Sequence, residues 1–421
     1  MVVAWAQTNA NLDGFGINRA DGGAPDGAQS APAIADNTGE FFAVAWVSGT
    51  GAAKTIRAKF YDSLGNPDPL LAGPIDLDDA TGTIVSGPVL AGWIEGYTAA
   101  WREQAAPGGP VLYRARLVGP EAPVGQEFTL AATDPNGYAV LNQDKLAMAG
   151  WEQVLDPVAG TVSVGFNALW VSTVDTGGGA TLDRIMLQRF EVPLDALGNP
   201  QPAVAGGIDG RGGIGSDAAV VLGAGRDPSM AALHDGEQVI AWIDGHNRVQ
   251  GRFLNPDGTD VPGVNLANFA TAAAGQGVKV AAFGVGNFGI FWIAAENGGL
   301  AIKGQTWGLP DGAATWGPLG PAQTVVALPA EFDGRFTVAG FGEGSDAGVV
   351  TYSVAGATGT QILAQSFDPL AAPFGSPFVV GTPGGGNASK PNGGMAGLIG
   401  ERAAVVWQDV ADEGDVRVQI I

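Results

Sequence analysis

Near the end of the chain, the stretch VVWQDVADEGDVRV places Asp409, Asp412 and Asp415 beside Glu413 and Gly414. Oxygen ligands spread through a glycine-containing loop suit calcium, which takes about six to eight oxygens. The spacing is not that of an EF-hand, and a solvated acidic hairpin loop accounts for it better than a calcium site does. Ca2+ is the one cofactor this sequence raises, with Asp409, Asp412 and Asp415 as its ligands. A second acidic run, Asp76, Asp78 and Asp79, has the same two readings.

The aromatic series Trp5, Trp46, Trp101, Trp170, Trp242, Trp292, Tyr352 and Trp407 has the side chains to stack against sugars. Its apolar neighbours alternate at period two and point the rings inward, which predicts core packing instead. Trp93, Trp151, Trp307 and Trp316 lie off the series and are the better candidates for exposed aromatic contacts. Acid–base or nucleophilic chemistry finds little to use. His234 and His246 are the only histidines, no Ser/His/Asp set assembles around them, and there is no cysteine. Leu309–Trp316, LPDGAATW, is one poor copy of a sialidase-type turn. Hydrolysis of that kind would need clustered arginines, a tyrosine nucleophile and acidic partners. The arginines fall mostly inside a repeated strand motif, at positions that read as solvent-facing. GRGGIGSD (210–217) has the glycines of a phosphate loop without its Lys-Ser/Thr.

The elements that would hold such groups repeat. VKVAAFGVGNFGIFWIAAEN (278–297) is two short apolar runs joined by a tight turn, the first of small residues, the second ending on a tryptophan. The unit returns at 31–48, 87–103, 228–244, 336–354 and 393–409, and in stretched form at 145–172. A third position alternates apolar and polar residues (TIRAKFYD, LYRARLVG, VQGRFLNP, ILAQSFDP), as a half-buried antiparallel strand does. A fourth is weaker (PIDLDD, EFTLA, VNLANF, QTVVAL, PFVVG). Turns between these runs are rich in Gly, Asp and Pro. Short links within a unit and longer links between units make each unit a four-stranded meander.

Such sheets must bury both faces and cover their edges, and radial packing into a β-propeller does both. Innermost strands crowd the axis, so the Ala/Gly-rich first strand belongs there. The reading is therefore all-β: a single β-propeller domain over 1–421, its blades four-stranded and antiparallel. Seven blades are expected, with eight as the alternative because the aromatic strand occurs eight times if VVAWAQ (2–7) counts. Seven intervals between Trp5 and Trp407 cover 402 residues, with extra length assigned to inserts at 154–183 and 203–227. The last unit ends without a fourth strand, so the N-terminal segment 1–30 is expected to complete the last blade.

Composition narrows the partners. Acids outnumber Lys plus Arg 42 to 20, a net charge of −22 that opposes nucleic-acid binding. No run of about 18 apolar residues marks a membrane span, and no signal peptide is visible. A rigid ring with long loops points to a protein or glycan partner, with self-assembly through apolar inserts as a further reading.

The segments AKFYDSLGNPDP, LQRFEVPLDALGNPQP, GRFLNPDGTDVPG and AQSFDPLAAPFGSP share a Phe, a short polar stretch, then a Gly turn and Pro. This resembles a repeat of large secreted bacterial proteins, the type I secretion substrates and adhesins, although the GGxGxDxxx calcium array often found near it is missing. The resemblance implies an exported protein at the cell surface or outside the cell. Together these readings give a non-catalytic binding or structural module. The alternatives are a propeller hydrolase or lyase acting on a glycan at the axial mouth, and a subunit of a surface assembly.

Overall fold

The computed structural model describes residues 15–16, 28–37, 41–68, 73–79, 82–94, 96–119, 122–131, 134–156, 161–194, 200, 204–205, 219–233, 236–255, 259–284, 286–309, 315–341, 347–356, 359–381, 388–389, 395–398, 402–409 and 415–421. Among them the chain is all-β apart from one 3-10 turn, Gly51–Ala53, and no helix is long and apolar enough to cross a membrane.

Each repeat unit is an antiparallel meander. In the unit Phe332–Gly340, Gly348–Gly356, Gly359–Phe367, Pro373–Gly381, every strand pairs with the next. The small-residue runs form the inner strands: Gln29–Asp36, Thr83–Trp93, Ala139–Asp156, Arg226–Ala232, Val278–Phe283, Phe332–Gly340 and Met395–Leu398. Each inner strand packs against the next, and Met395–Leu398 packs against Gln29–Asp36, so the ring is closed. Together they line one axial cavity of about 520 Å³. The architecture is a β-propeller.

Glycine and alanine on these strands answer a steric demand. A Cβ on Gly150 would stand 1.7 Å from the carbonyl oxygen of Gly92, and one on Gly340 would stand 2.1 Å from that of Ala282. Only glycine lets neighbouring backbones come so close.

The second strands carry the inter-sheet core. Trp46 packs with Leu398 and Val406 of the last unit, Trp101 with Ala45 and Phe60, and Trp170 with Tyr113 and Leu117. Trp242 packs with Leu169 and Leu187, Trp292 with Val239 and Phe253, Tyr352 with Phe291 and Ile302, and Trp407 with Val349 and Ala364. Each ring is buried against the unit before its own, as the period-two pattern predicts. Trp5 lies outside the described residues.

The repeated Phe–Gly–Pro motif places a buried phenylalanine before a turn, which in two copies is capped by an aspartate side chain. Phe60, Phe190, Phe253 and Phe367 are buried. Asp62 Oδ1 accepts from the Leu64 and Asn66 amides at 2.9 and 2.8 Å, and Asp368 Oδ1 from Leu370 and Ala372 at 2.9 Å each. Partial burial raises the Asp62 pKa, but hydrogen bonds from Asn66, Leu64 and Gly65 outweigh it and leave the carboxyl below its ordinary value.

Three expectations are corrected. Residues 154–183 are no separate insert: Ala139–Asp156, Thr161–Gly177 and Ala180–Val192 are long strands paired along most of their length. The 203–227 stretch includes Val204–Ala205 and Val220–Ala224, both paired to Ala180–Val192, and the start of the next inner strand. VNLANF does not form the fourth strand of its unit. The paired strand is Ala270–Thr271, because Leu266 turns into the core. At the other end, Phe15–Gly16 pairs antiparallel with Asp415–Ile420, Phe15 opposite Val418.

Candidate functional site

Two cavities hold candidate chemistry. The first lies on the outer side, between the unit of Gln238–Ile243 and that of Asn287–Glu296. It measures about 310 Å³ and is lined by Asn265, Phe269, Gln305, Trp307 and Trp316, with Gly317 and Pro318 at its edge. Trp307 is set opposite Phe288 in the ladder and stacks on it, ring centroids 5.4 Å apart at 10°. It also pairs with Pro318, which folds the 315–318 segment back over the sheet. Trp316 thereby reaches the neighbouring unit, where it meets the motif residue Phe253 edge-on at 4.6 Å. Phe269 approaches from that neighbouring unit and stands edge-on to Trp307 at 5.4 Å and to Trp292 at 5.6 Å. Trp307 is buried, Phe269, Gln305 and Trp316 are half-buried, and Asn265 is exposed. Gln305 Nε2 donates to the Gly320 carbonyl at 3.0 Å, and Asn265 Oδ1 accepts from the Ala267 amide at 3.0 Å. The wall therefore offers ring faces and edges beside two amide side chains, and among the described residues no charged side chain lines it.

The second cavity is the axial one. Its wall is mainly Ala, Gly, Val and Met from the inner strands, with Asp36, Glu152 and Lys279 also contributing. Arginines and tyrosines of the kind a sialidase-like site needs are engaged elsewhere. Arg57 pairs with Asp76 at 2.8 Å, Arg114 with Glu127 at 3.3 Å, Arg184 with Asp134 at 3.0 Å and Arg252 with Asp260 at 2.8 Å. These four third-strand arginines thus pair with nearby acids, and Arg116 donates to the Leu77 and Gly125 carbonyls, so they do not simply face solvent. Burial pushes the Tyr61, Tyr97 and Tyr113 phenols well above their ordinary values, the wrong direction for a nucleophile.

The acidic candidates separate. Asp409 is buried and faces Arg417 at 3.0 Å. Asp415 stands opposite Asp409 in the ladder, and Asp412 lies outside the described residues. Asp76 holds Arg57, Asp78 Oδ1 accepts from the Ile56 amide at 2.6 Å, and the Asp79 amide donates to Glu127. Burial raises the Glu127 carboxyl above its ordinary value. His246 is an exposed turn residue, whereas His234 and the 210–217 loop lie outside the described residues.

Of the off-series tryptophans, Trp93 and Trp151 are core. Trp93 Nε1 donates to Thr98 Oγ1 at 3.1 Å, and Trp151 lies under the Arg189 guanidinium at 3.7 Å. Trp307 and Trp316 do reach a pocket. Sequence reasoning missed Asn265, Phe269 and Gln305 beside them. The available signal was Trp307 standing where other units carry the motif phenylalanine, with a second Thr-Trp pair, Thr315–Trp316, close behind.

No family model and no curated protein matches the sequence. Among solved structures, a lectin from Burkholderia pseudomallei is similar over 94% of this chain and 96% of its own, with TM-score 0.48 and 13% identity. A fucose-specific lectin from Aleuria aurantia is similar over 86% of this chain and 100% of its own, with TM-score 0.40 and 11% identity. A Hadza microbial sialidase is similar over 88% of this chain and 74% of its own, with TM-score 0.41 and 12% identity.

Proposed function

We propose that this chain is a non-catalytic binding module, a seven-bladed single-domain propeller of an exported bacterial protein, whose ligand is a neutral glycan held between blades. One observation carries the reading: the uncharged pocket of Phe269, Trp307 and Trp316 with Asn265 and Gln305, built across two adjacent sheets of a protein with net charge −22. Aromatic rings cover the apolar C–H faces of a pyranose, and amides supply donors and acceptors for its hydroxyls. In the same proposal the N-terminal segment closes the last blade. The 409–415 hairpin remains its calcium candidate through Asp412 and Asp415, because the Asp409 carboxylate faces Arg417. Unfolding with calcium or with chelator tests the ion, and an unmoved transition removes it.

The glycan test is a screen of neutral and acidic oligosaccharides, repeated with Trp316→Ala. Binding of a neutral sugar that falls at least tenfold in the variant, with an unchanged fold, is expected. A screen with no neutral ligand, or one whose ligand binds Trp316→Ala equally well, contradicts the reading.

A further inference from the structure

Lys279 breaks the rule that shapes the axial cavity. In six of the units one inner-strand residue stands opposite the residue that precedes the buried aromatic. These are Ala33 opposite Ala45, Val89 opposite Ala100, Ala147 opposite Leu169, Ser229 opposite Ala241, Lys279 opposite Phe291, and Thr337 opposite Thr351. All six line the same cavity. Five are small or uncharged, and the sixth is a lysine.

Its ammonium makes no hydrogen bond or ion pair among the described residues. The side chain is half-buried on the lumen wall; burial lowers its pKa, with Asp227 opposing the shift and Lys145 adding to it. Asp227 itself has Lys145 at 3.8 Å and Arg226 at 3.7 Å. A half-buried ammonium on the lumen wall, with no ion pair among the described residues, presents a positive charge that an anion entering the cavity can meet. Such a group in a cavity is a candidate for ligand binding.

The neighbours indicate which ligand. The adjacent inner strands on either side supply Ser229 and Thr337 at the level of Lys279. Ser229 Oγ accepts from the Val280 amide at 3.0 Å, which leaves its own proton to donate. Ser229, Lys279 and Thr337 thus form a row of donors on one side of a cavity of about 520 Å³. A planar anion with paired acceptor oxygens satisfies such a row.

We propose that the axial cavity is a carboxylate-binding site, with Lys279 as its charged anchor and the Ser229 and Thr337 hydroxyls as flanking donors. It is separate from the aromatic pocket and takes the acid group of a small molecule or of an acidic sugar.

Titration calorimetry with acetate, D-glucuronate and the methyl ester of glucuronic acid tests this, using wild type, Lys279→Met and Thr337→Val. In wild type, acetate and glucuronate are expected to bind and the ester is not. Lys279→Met should weaken both acids at least tenfold while melting no lower than wild type. Thr337→Val should weaken them by a smaller factor. Tighter binding of glucuronate than of acetate identifies an acidic sugar as the source of the carboxylate, and equal binding identifies a small acid. If Lys279→Met does not fold, Lys279→Gln serves in its place. Absence of carboxylate binding in wild type, or binding unchanged by loss of the charge, overturns the site. Neither result bears on the aromatic pocket, which the Trp316→Ala comparison tests separately.

Discussion

Gly92 lies so close to Asp36 that a Cβ on the glycine would stand 1.8 Å from the Asp36 carbonyl oxygen. The obstacle is backbone of the neighbouring inner strand, so no side-chain rotation relieves it. Gly92→Ala must push two inner strands apart and is expected to cost about 3 kcal/mol, the upper end for overpacking a close-packed core. Chemical denaturation measures this. A loss below about 0.5 kcal/mol, the range of neutral surface changes, would mean that the inner strands can spread.

Trp242 fills the space between the units of Leu169 and Ile240. Trp242→Ala is expected to cost about 3–5 kcal/mol through lost burial and the cavity left behind. A near-neutral effect on folding would show that the inter-unit core does not depend on this ring.

Phe15 opposite Val418 joins the two ends of the chain through a main-chain ladder. Removing residues 1–20 exposes the edge of the C-terminal strand, and the melting temperature is expected to fall sharply. A truncated protein as stable as the full chain would remove the N-terminal segment from the closure of the ring.

Asp244 caps the turn after the second strand. Its Oδ1 accepts from the His246 and Arg248 amides at 2.8 and 2.9 Å, and its Oδ2 accepts from Arg248 Nε at 2.7 Å and Gln250 Nε2 at 2.9 Å. Partial burial raises its pKa, but the bonds from Arg248, His246 and Gln250 overcome this and hold it at about 2, against an ordinary 3.8. Because the folded value is depressed, the stability it contributes is full above pH about 4 and is lost as pH falls towards about 2. Asp244→Asn should lower stability at neutral pH and flatten the acid limb in that window. A variant with the wild-type acid limb would assign the limb to other carboxyls.

Much of this fold was legible because its constraints are local and repeated. Ala and Gly on the first strand report the crowding at the axis, and period-two burial of Trp46, Trp101 and Trp170 reports the inter-sheet core. The fourth position was less legible where pairing is short: Ala270–Thr271 has no hydrophobic signature, whereas Leu266 beside it is buried without being in the ladder. Gln305 and Asn265 come from different units, 40 residues apart, and meet only because two sheets pack side by side. Periodicity within one unit carries no information about that meeting. An Xaa-Pro step marks the start of some inner strands. The inner strands bulge at their start, where Ala31 and Asp227 adopt φ of 48° and 50°, and proline follows each of them.

The pocket between adjacent sheets is the centre of this account, and Trp316 is one of its two half-buried rings. Its most direct measurement is the intrinsic tryptophan fluorescence of the wild type and of Trp316→Ala, titrated with the neutral oligosaccharide found by screening. The account predicts a saturable spectral change in the wild type, and in the variant a loss of that change with affinity at least tenfold weaker. A neutral-sugar titration curve that keeps its affinity in Trp316→Ala, or no saturable change in the wild type, would contradict it.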